Sequence, residues 1–282
     1  MKNIATLDNI SNQLQRIDWS AAWWQPWRAV GQRVAQRVTQ HIAQHGAGSA
    51  AAEGAVAAAL NTENAVVQFV AHTSLAGSTA YEQFIFDTSQ VPTRDNLHDF
   101  FNGLVWIVFP QVKKRLNALQ AEHIKNHGIQ ATRGPLRDTL TVFDENAAFM
   151  HVSPALAHAL HERQWQQAFG ALRHEWLAHP PLLFGHALFE KLVLPYKSIT
   201  AHVYYAQAAI KSIANFHPAS LHPADWDSHI SQQLSPKNLL PKPFLPLPVL
   251  GVPGWWAANE SPVFYQDAQV FRPSRMARPS AA

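Results

Sequence analysis

The chain has 282 residues, 47% of them apolar and 15% charged, and it contains no cysteine. That length and apolar share allow a substantial core and exclude a wholly disordered chain. The absence of cysteine excludes disulfides, thiolate metal sites and a cysteine nucleophile. A formal charge of +3, from 22 basic and 19 acidic side chains, gives no strong nucleic-acid signal.

No apolar run approaches the ~20 residues that a transmembrane helix needs. The opening MKNIATLDNISNQLQ lacks the basic-then-apolar pattern of a secretory signal, so a cytoplasmic protein is expected.

Residues 1–18 read as a polar arm or short helix. A tryptophan cluster follows, Trp19, Trp23, Trp24 and Trp27. Val30, Val34, Val38 and Ile42 then recur at helical spacing until Gly46, with Arg28, Arg33 and Arg37 on the other face. The alanine-rich stretch Ser49–Leu60 predicts a second helix, Val66–Val70 a short strand and Tyr81–Phe86 a helical turn. Proline at 92 disfavours helix at Val91, so a fresh helix is expected after Thr93. It runs over 94–109 with Leu97, Phe100, Phe101, Leu104, Val105 and Val108 as its apolar face. Pro110 marks a break, and 112–127 continues as helix with its charges outward.

Thr139–Phe143 is rich in β-prone residues, Asp144-Glu145-Asn146 resembles a turn, and Ala148–Val152 resembles a partner strand, so a hairpin is expected. A tight turn there would favour glycine at 147, where this chain has Ala147. Ser153-Pro154 caps the next helix, and others are expected over Gly185–Leu194, Ile199–Ala214 and Asp225–Leu234. From Pro236 onward prolines are frequent, interleaved with Phe244, Leu245, Leu247, Val249, Trp255 and Trp256. That mixture is too apolar for a free tail and predicts an extended segment, 236–278, wrapped on a helical body of residues 19–235, with 279–282 disordered. The expected fold is mainly α with a small β element (α+β), in one globular domain.

Three polar groups interrupt apolar surroundings. Arg94, His98 and Asn102 are spaced four apart on the 94–109 helix, beside Asp95 and Asp99. His186 and Glu190 are four apart on the Gly185–Leu194 helix, a spacing that suits adjacent metal ligands or a carboxylate orienting an imidazole. Asp144 and Glu145 follow Arg133, Arg137 and Asp138, and adjacent carboxylates can serve a cation or act as acid and base. His202 lies among apolar residues. Each group has a structural reading beside the functional one: a satisfied buried network, a chance histidine–glutamate pair, a solvated turn, a core histidine. Phosphate-loop, dinucleotide-binding and GxSxG motifs are absent.

The blocks VPTRDNLHDFFNGLVWIVFP (91–110), RGPLRDTLTVFDENA (133–147), FGHALFEKLVLPYKSITAH (184–202) and PLPVLGVPGWW (246–256) carry a resemblance. Together they resemble the proteobacterial family catalogued as domain of unknown function 3025, over about Val66 to Arg272. The resemblance implies a bacterial, soluble protein and transfers no activity.

Three functions remain open on the residues. The first is a metal-dependent hydrolase, with His98, His186, His202 and Glu190 (or Asp99) as ligands of zinc, iron or manganese. In it Asp144 or Glu145 is the general base, with His98 and Asp99 in the catalytic set, while Arg94, Asn102, Arg133 and Arg137 hold substrate. The second is a non-catalytic module that binds a small anionic ligand through the arginines. The third is a scaffold that meets a partner or a second copy through its tryptophan-rich N-terminus or proline-rich tail. Convergence of His98 and His186 separates the first reading from the third.

Overall fold

A computed structural model describes residues 10–46, 48–49, 52–75, 77, 79–128, 134–205, 222–240 and 242–273. The expected disordered tail, the first half of the N-terminal arm and the later part of the helix expected over Ile199–Ala214 lie outside the described residues. The fold is mainly helical, with a two-stranded and a four-stranded sheet. Among the described residues no helix is long and apolar enough to cross a membrane.

Helix α1 (Ile10–Gln15) buries Ile10 and Leu14, and α2 (Arg28–His45) buries Val34, Val38 and Ile42. The tryptophan cluster is core material: the Trp24 ring lies parallel to that of Phe101, centroids 5.5 Å apart, and Trp27 Nε1 donates to the Leu183 carbonyl at 3.1 Å. The basic face of α2 is not free, because Arg33 and Arg37 both pair with Glu63.

Helix α3 (Ala55–Leu60) is shorter than expected. Gly54, at φ +78°, takes a left-handed conformation at its start, and Asp95 accepts hydrogen bonds from Gly54 N and Val56 N at 2.8 and 2.9 Å. Strand β1 (Gln68–Ala71) pairs in parallel with β2 (Gln90–Thr93), and α4 (Tyr81–Thr88) connects them. β2 escapes the sequence reading because Pro92 argues against a strand, although an edge position tolerates it.

Helices α5 (Leu97–Val108) and α6 (Pro110–His127) meet at Phe109, with Pro110 at the first position of α6. Asp227, from the helix Pro223–Gln233, accepts from Gln111 N and Val112 N at 3.0 and 2.8 Å, satisfying two of the N–H groups a helix start leaves unpaired.

The hairpin expected over 139–152 is absent. Its first half is the end of α7 (Pro135–Asn146), and only β3 (Ala147–Phe149) is strand. Leu136, Leu140 and Phe143 recur at four and three, and burial of the last two overrides the local β preference. Asp144-Glu145-Asn146 is therefore a helix end, and Ala147 begins the strand with extended φ and ψ, so no tight turn calls for glycine.

β3 pairs antiparallel with β4 (Leu182–Leu183) and parallel with β5 (Thr200–Tyr204), and β5 pairs antiparallel with β6 (Phe244–Pro248). The structure thus corrects the helix expected from Ile199. Within Thr200–Tyr204 the buried Ala201 and Val203 alternate with less buried neighbours, which is the strand period. Helix α8 (Pro154–His161) starts as expected, Ser153 Oγ accepting from Leu156 N. A short helix α9 (Arg173–Ala178) precedes β4, and α10 (His186–Val193) follows it.

The proline-rich segment is not uniformly extended. It holds a short helix at Pro236–Leu239, the edge strand β6 and 3-10 turns at Val249–Gly251, Ala257–Glu260 and Pro262–Gln266. Leu247, Val249, Leu250 and Val252 are fully buried.

Candidate functional site

Five helices, α4, α5, α6, α7 and α10, surround a polar cavity of about 300 Å³ lined in part by Tyr81, Arg94, His98, Asp99, Arg137 and His186. Its position follows from one close backbone approach. Phe184 N and Gly185 N both donate to the Ala147 carbonyl at 3.0 Å, which brings the start of α10 onto the end of α7. A Cβ on Gly185 would lie 2.3 Å from the Glu145 carbonyl oxygen, so no larger residue fits without a shift. His186, the next residue, thereby reaches Asp144: its Nδ1 donates to the Asp144 carbonyl at 2.9 Å.

The two imidazoles form the centre. His98 Nε2 and His186 Nε2 are 3.1 Å apart, with ring planes at 81°. His98 Nδ1 faces Glu190 Oε2 at 3.2 Å. A carbonyl and an ionised carboxylate only accept, so both Nδ1 atoms carry protons. If both rings were neutral, two lone pairs would face each other across the 3.1 Å gap. A proton in the gap removes that conflict and makes one ring an imidazolium. The environments assign it to His98. Its hydrogen bond to Glu190 raises the pKa of His98, whereas burial, aided by Lys113 and His98, pushes that of His186 down to about 4. Glu190 is in turn held below its ordinary value by the bond to His98.

Behind His186 lies a buried ion pair. Lys113 Nζ contacts Asp144 Oδ1 at 2.6 Å and Asn102 Oδ1 at 2.9 Å, and sits 5.4 Å from the Trp106 ring centroid. Burial opposes the Asp144 carboxylate, but Lys113 and His186 more than offset it and leave its pKa lowered. Asn102 Nδ2 completes the chain to Tyr81 Oη at 3.2 Å. Glu82 receives Asn117 Nδ2 at 2.7 Å, and burial followed by repulsion from Asp144 raises its pKa. On the other wall Asp99 accepts from Arg94 N, Nε and Nη2 at 2.7, 2.9 and 3.1 Å.

Residues 67–275 match the family described as protein of unknown function (DUF3025). The chain belongs to that family. No curated protein and no solved structure matches it. The DUF3025 match spans every residue of the cavity.

In this DUF3025 chain His98, Asp99, Asn102, Arg94, Arg137, Asp144, Glu145 and His186 line the cavity, and Glu190 adjoins it through His98. Arg94 precedes α5 rather than riding on it, and reaches Asp99 from the loop. Asp144 and Glu145 project from a helix, not a turn. His202 is elsewhere: it lies on β5 against Phe244, ring centroids 5.8 Å apart, with its Nδ1 buried and without a hydrogen bond. Arg133 lies outside the described residues. Among the described residues no group of three or more histidine, aspartate or glutamate side chains is disposed to hold a metal ion.

The sequence reading missed Tyr81, Glu82, Lys113, Asn117 and Gln120. A signal existed for the α6 set. Lys113, Asn117 and Gln120 recur at four and three on a helix whose Val112, Leu116 and Leu119 are buried, so they share its inner side and do not point outward as expected.

Proposed function

We propose that this chain is a hydrolase-like enzyme that uses general acid–base chemistry on a small, polar substrate, bound in the cavity by an anionic group. The observation that carries the reading is the His98–His186 contact, Nε2 to Nε2 at 3.1 Å, with both Nδ1 atoms already committed. Such a pair holds one mobile proton between a ring that keeps it and a ring that sheds it, which is the requirement for accepting and returning a proton during turnover. Glu190 and the Asp144 carbonyl fix the two ring orientations. The histidine pair and the carboxylates of Asp144 and Glu145 line the cavity, and groups of this kind can activate a water molecule. Arg94 and Arg137 supply positive charge for an anionic group.

The same gap favours a second reading. Two lone pairs converging at this separation also suit a zinc ion, whose bonds to imidazole nitrogen are about 2.0–2.1 Å, or iron or manganese, which imidazole also ligates. Glu190 and the Asp144 carbonyl would then orient the ligating rings from outside.

The test combines metal analysis of the purified, untagged protein with ¹⁵N spectra of its histidines, and a screen of ester, amide and phosphoester hydrolysis. The acid–base reading expects a metal-free protein, one proton shared between the two Nε2 nitrogens, and turnover lost in His98→Asn and His186→Asn. Near-stoichiometric metal that disappears in His186→Asn moves the conclusion to the second reading. Turnover unaffected by both substitutions removes the cavity from the chemistry.

A further inference from the structure

The ion pairs around the cavity leave Arg137, Glu145 and Glu82 without an ion-pair partner. Arg94 is matched by Asp99, Lys113 by Asp144 and His98 by Glu190. Among the described residues none of the three has an ion-pair partner, but Glu82 accepts from Asn117 Nδ2 at 2.7 Å and burial raises its pKa, which leaves Arg137 and Glu145 as the two charges without a bonded partner. Arg137 Nε is buried and donates to nothing. A buried guanidinium N–H without an acceptor is a group awaiting one, and the fork of arginine matches the two oxygens of a carboxylate. Glu145 is near enough to His98 for its charge to act on that ring. The two unmatched charges thus have opposite sign and stand at separate places on one wall.

Both come from α7, eight residues apart, which the helical rise converts to about 12 Å between their backbones. Thr141 lies between them on the same cavity wall. We infer that the substrate is a zwitterion, with its carboxylate on Arg137 and its protonated amine on Glu145, beside the histidine pair. This rests on the proposed acid–base reading of the cavity and names the substrate class for it. A dianion such as phosphate fits less well, since Asp99, Asp144 and Glu145 face the same space. A neutral molecule would leave both charges unmatched.

The test titrates the full chain with a series of probes at constant ionic strength, following chemical shifts and melting temperature. The probes are 3-aminopropanoate, 6-aminohexanoate, 8-aminooctanoate and lysine, with hexanoate and hexylamine as single-charge controls. At least one zwitterion is expected to bind tenfold or more tightly than either control. Arg137→Leu should abolish binding of zwitterion and hexanoate alike. Glu145→Gln should reduce the zwitterion to the affinity of hexanoate and leave hexanoate unchanged. Hexanoate binding as tightly as every zwitterion, zwitterion binding indifferent to Glu145→Gln, or no binding by any of the series would overturn the inference. The shared proton of His98 and His186, read in the same spectra, reports separately on the acid–base reading: its absence in the unsubstituted protein sinks that reading, whereas its presence without zwitterion binding sinks only the substrate class.

Discussion

His98 Nε2 stands 3.1 Å from His186 Nε2, each ring held from behind by an oxygen acceptor, Glu190 for one and the Asp144 carbonyl for the other. The two rings respond to pH in opposite senses. His186 has a folded-state pKa of about 4 against 6.5 when free, so protons prefer the unfolded chain. Its contribution is complete above pH 6.5 and is lost as pH falls towards 4, amounting to about 3 kcal/mol over that window. His98, with its pKa raised, stabilises the fold at low pH and loses that contribution as pH rises past its folded value. Urea denaturation between pH 4 and 8 should show a maximum near neutrality, and His186→Gln should flatten the acid side. An unchanged acid slope in that variant would mean that His186 does not carry the effect.

The Lys113–Asp144 pair is buried on both sides, with side-chain exposures of 6% and 13%. Lys113→Met strands a carboxylate that burial alone would neutralise, and Asp144→Leu strands the ammonium. Each is expected to destabilise by about 3–5 kcal/mol, and the double substitution by clearly less than the sum. Denaturant titrations of the four proteins form the cycle. Strict additivity would show that the contact is not a coupled pair.

How much of this was legible in the sequence differs by element. The long amphipathic helices were readable because their apolar spacing agrees with what tertiary packing demands, whereas the tryptophan cluster, offered as a partner surface, is buried at Trp23, Trp24 and Trp27. The family was readable from four short blocks. Thr139–Phe143 was misread because five β-prone residues in a row outweigh, locally, a helical stripe whose value lies in burial against β5. Thr200–Tyr204 was misread in the opposite direction, since its alternation covers only five residues while Ile199, Val203, Ala206 and Ile210 recur at steps that also suit a helix. For the cavity, residues embedded in apolar helices were conspicuous: His98, Asn102 and His186. Lys113 was not, because a lysine on a charged helix reads as solvated until the Asp144 that buries it is known. Glu82 and Tyr81 gave no local signal.

Asp227 tests a contact of another kind. The residue is 2% exposed, and its carboxylate caps α6 from a helix far along the chain. Asp227→Ala leaves the buried Val112 N and the part-buried Gln111 N without their acceptor, and an expected loss of about 1–3 kcal/mol follows. Asp227→Asn keeps an acceptor and should lose less. Equal melting temperatures for the alanine variant and the unsubstituted protein would show that water satisfies these groups.

Gly185 links the fold to the histidine pair. A methyl group there meets Glu145 O at 2.3 Å and Asn146 N at 2.4 Å, both backbone atoms that cannot swing aside. Gly185→Ala must therefore push α10 away from the end of α7, at an expected cost of about 1–3 kcal/mol for overpacking. The same shift lengthens the His186–Asp144 contact, so the proton shared with His98 should weaken or vanish from the histidine spectra. Gly170 supplies the comparison, because a Cβ there meets nothing within 4 Å and its φ is not left-handed. Gly170→Ala should leave the melting temperature unchanged or slightly raised, with the histidine signals intact. If both substitutions behave alike, the close approach at Gly185 is not what positions His186.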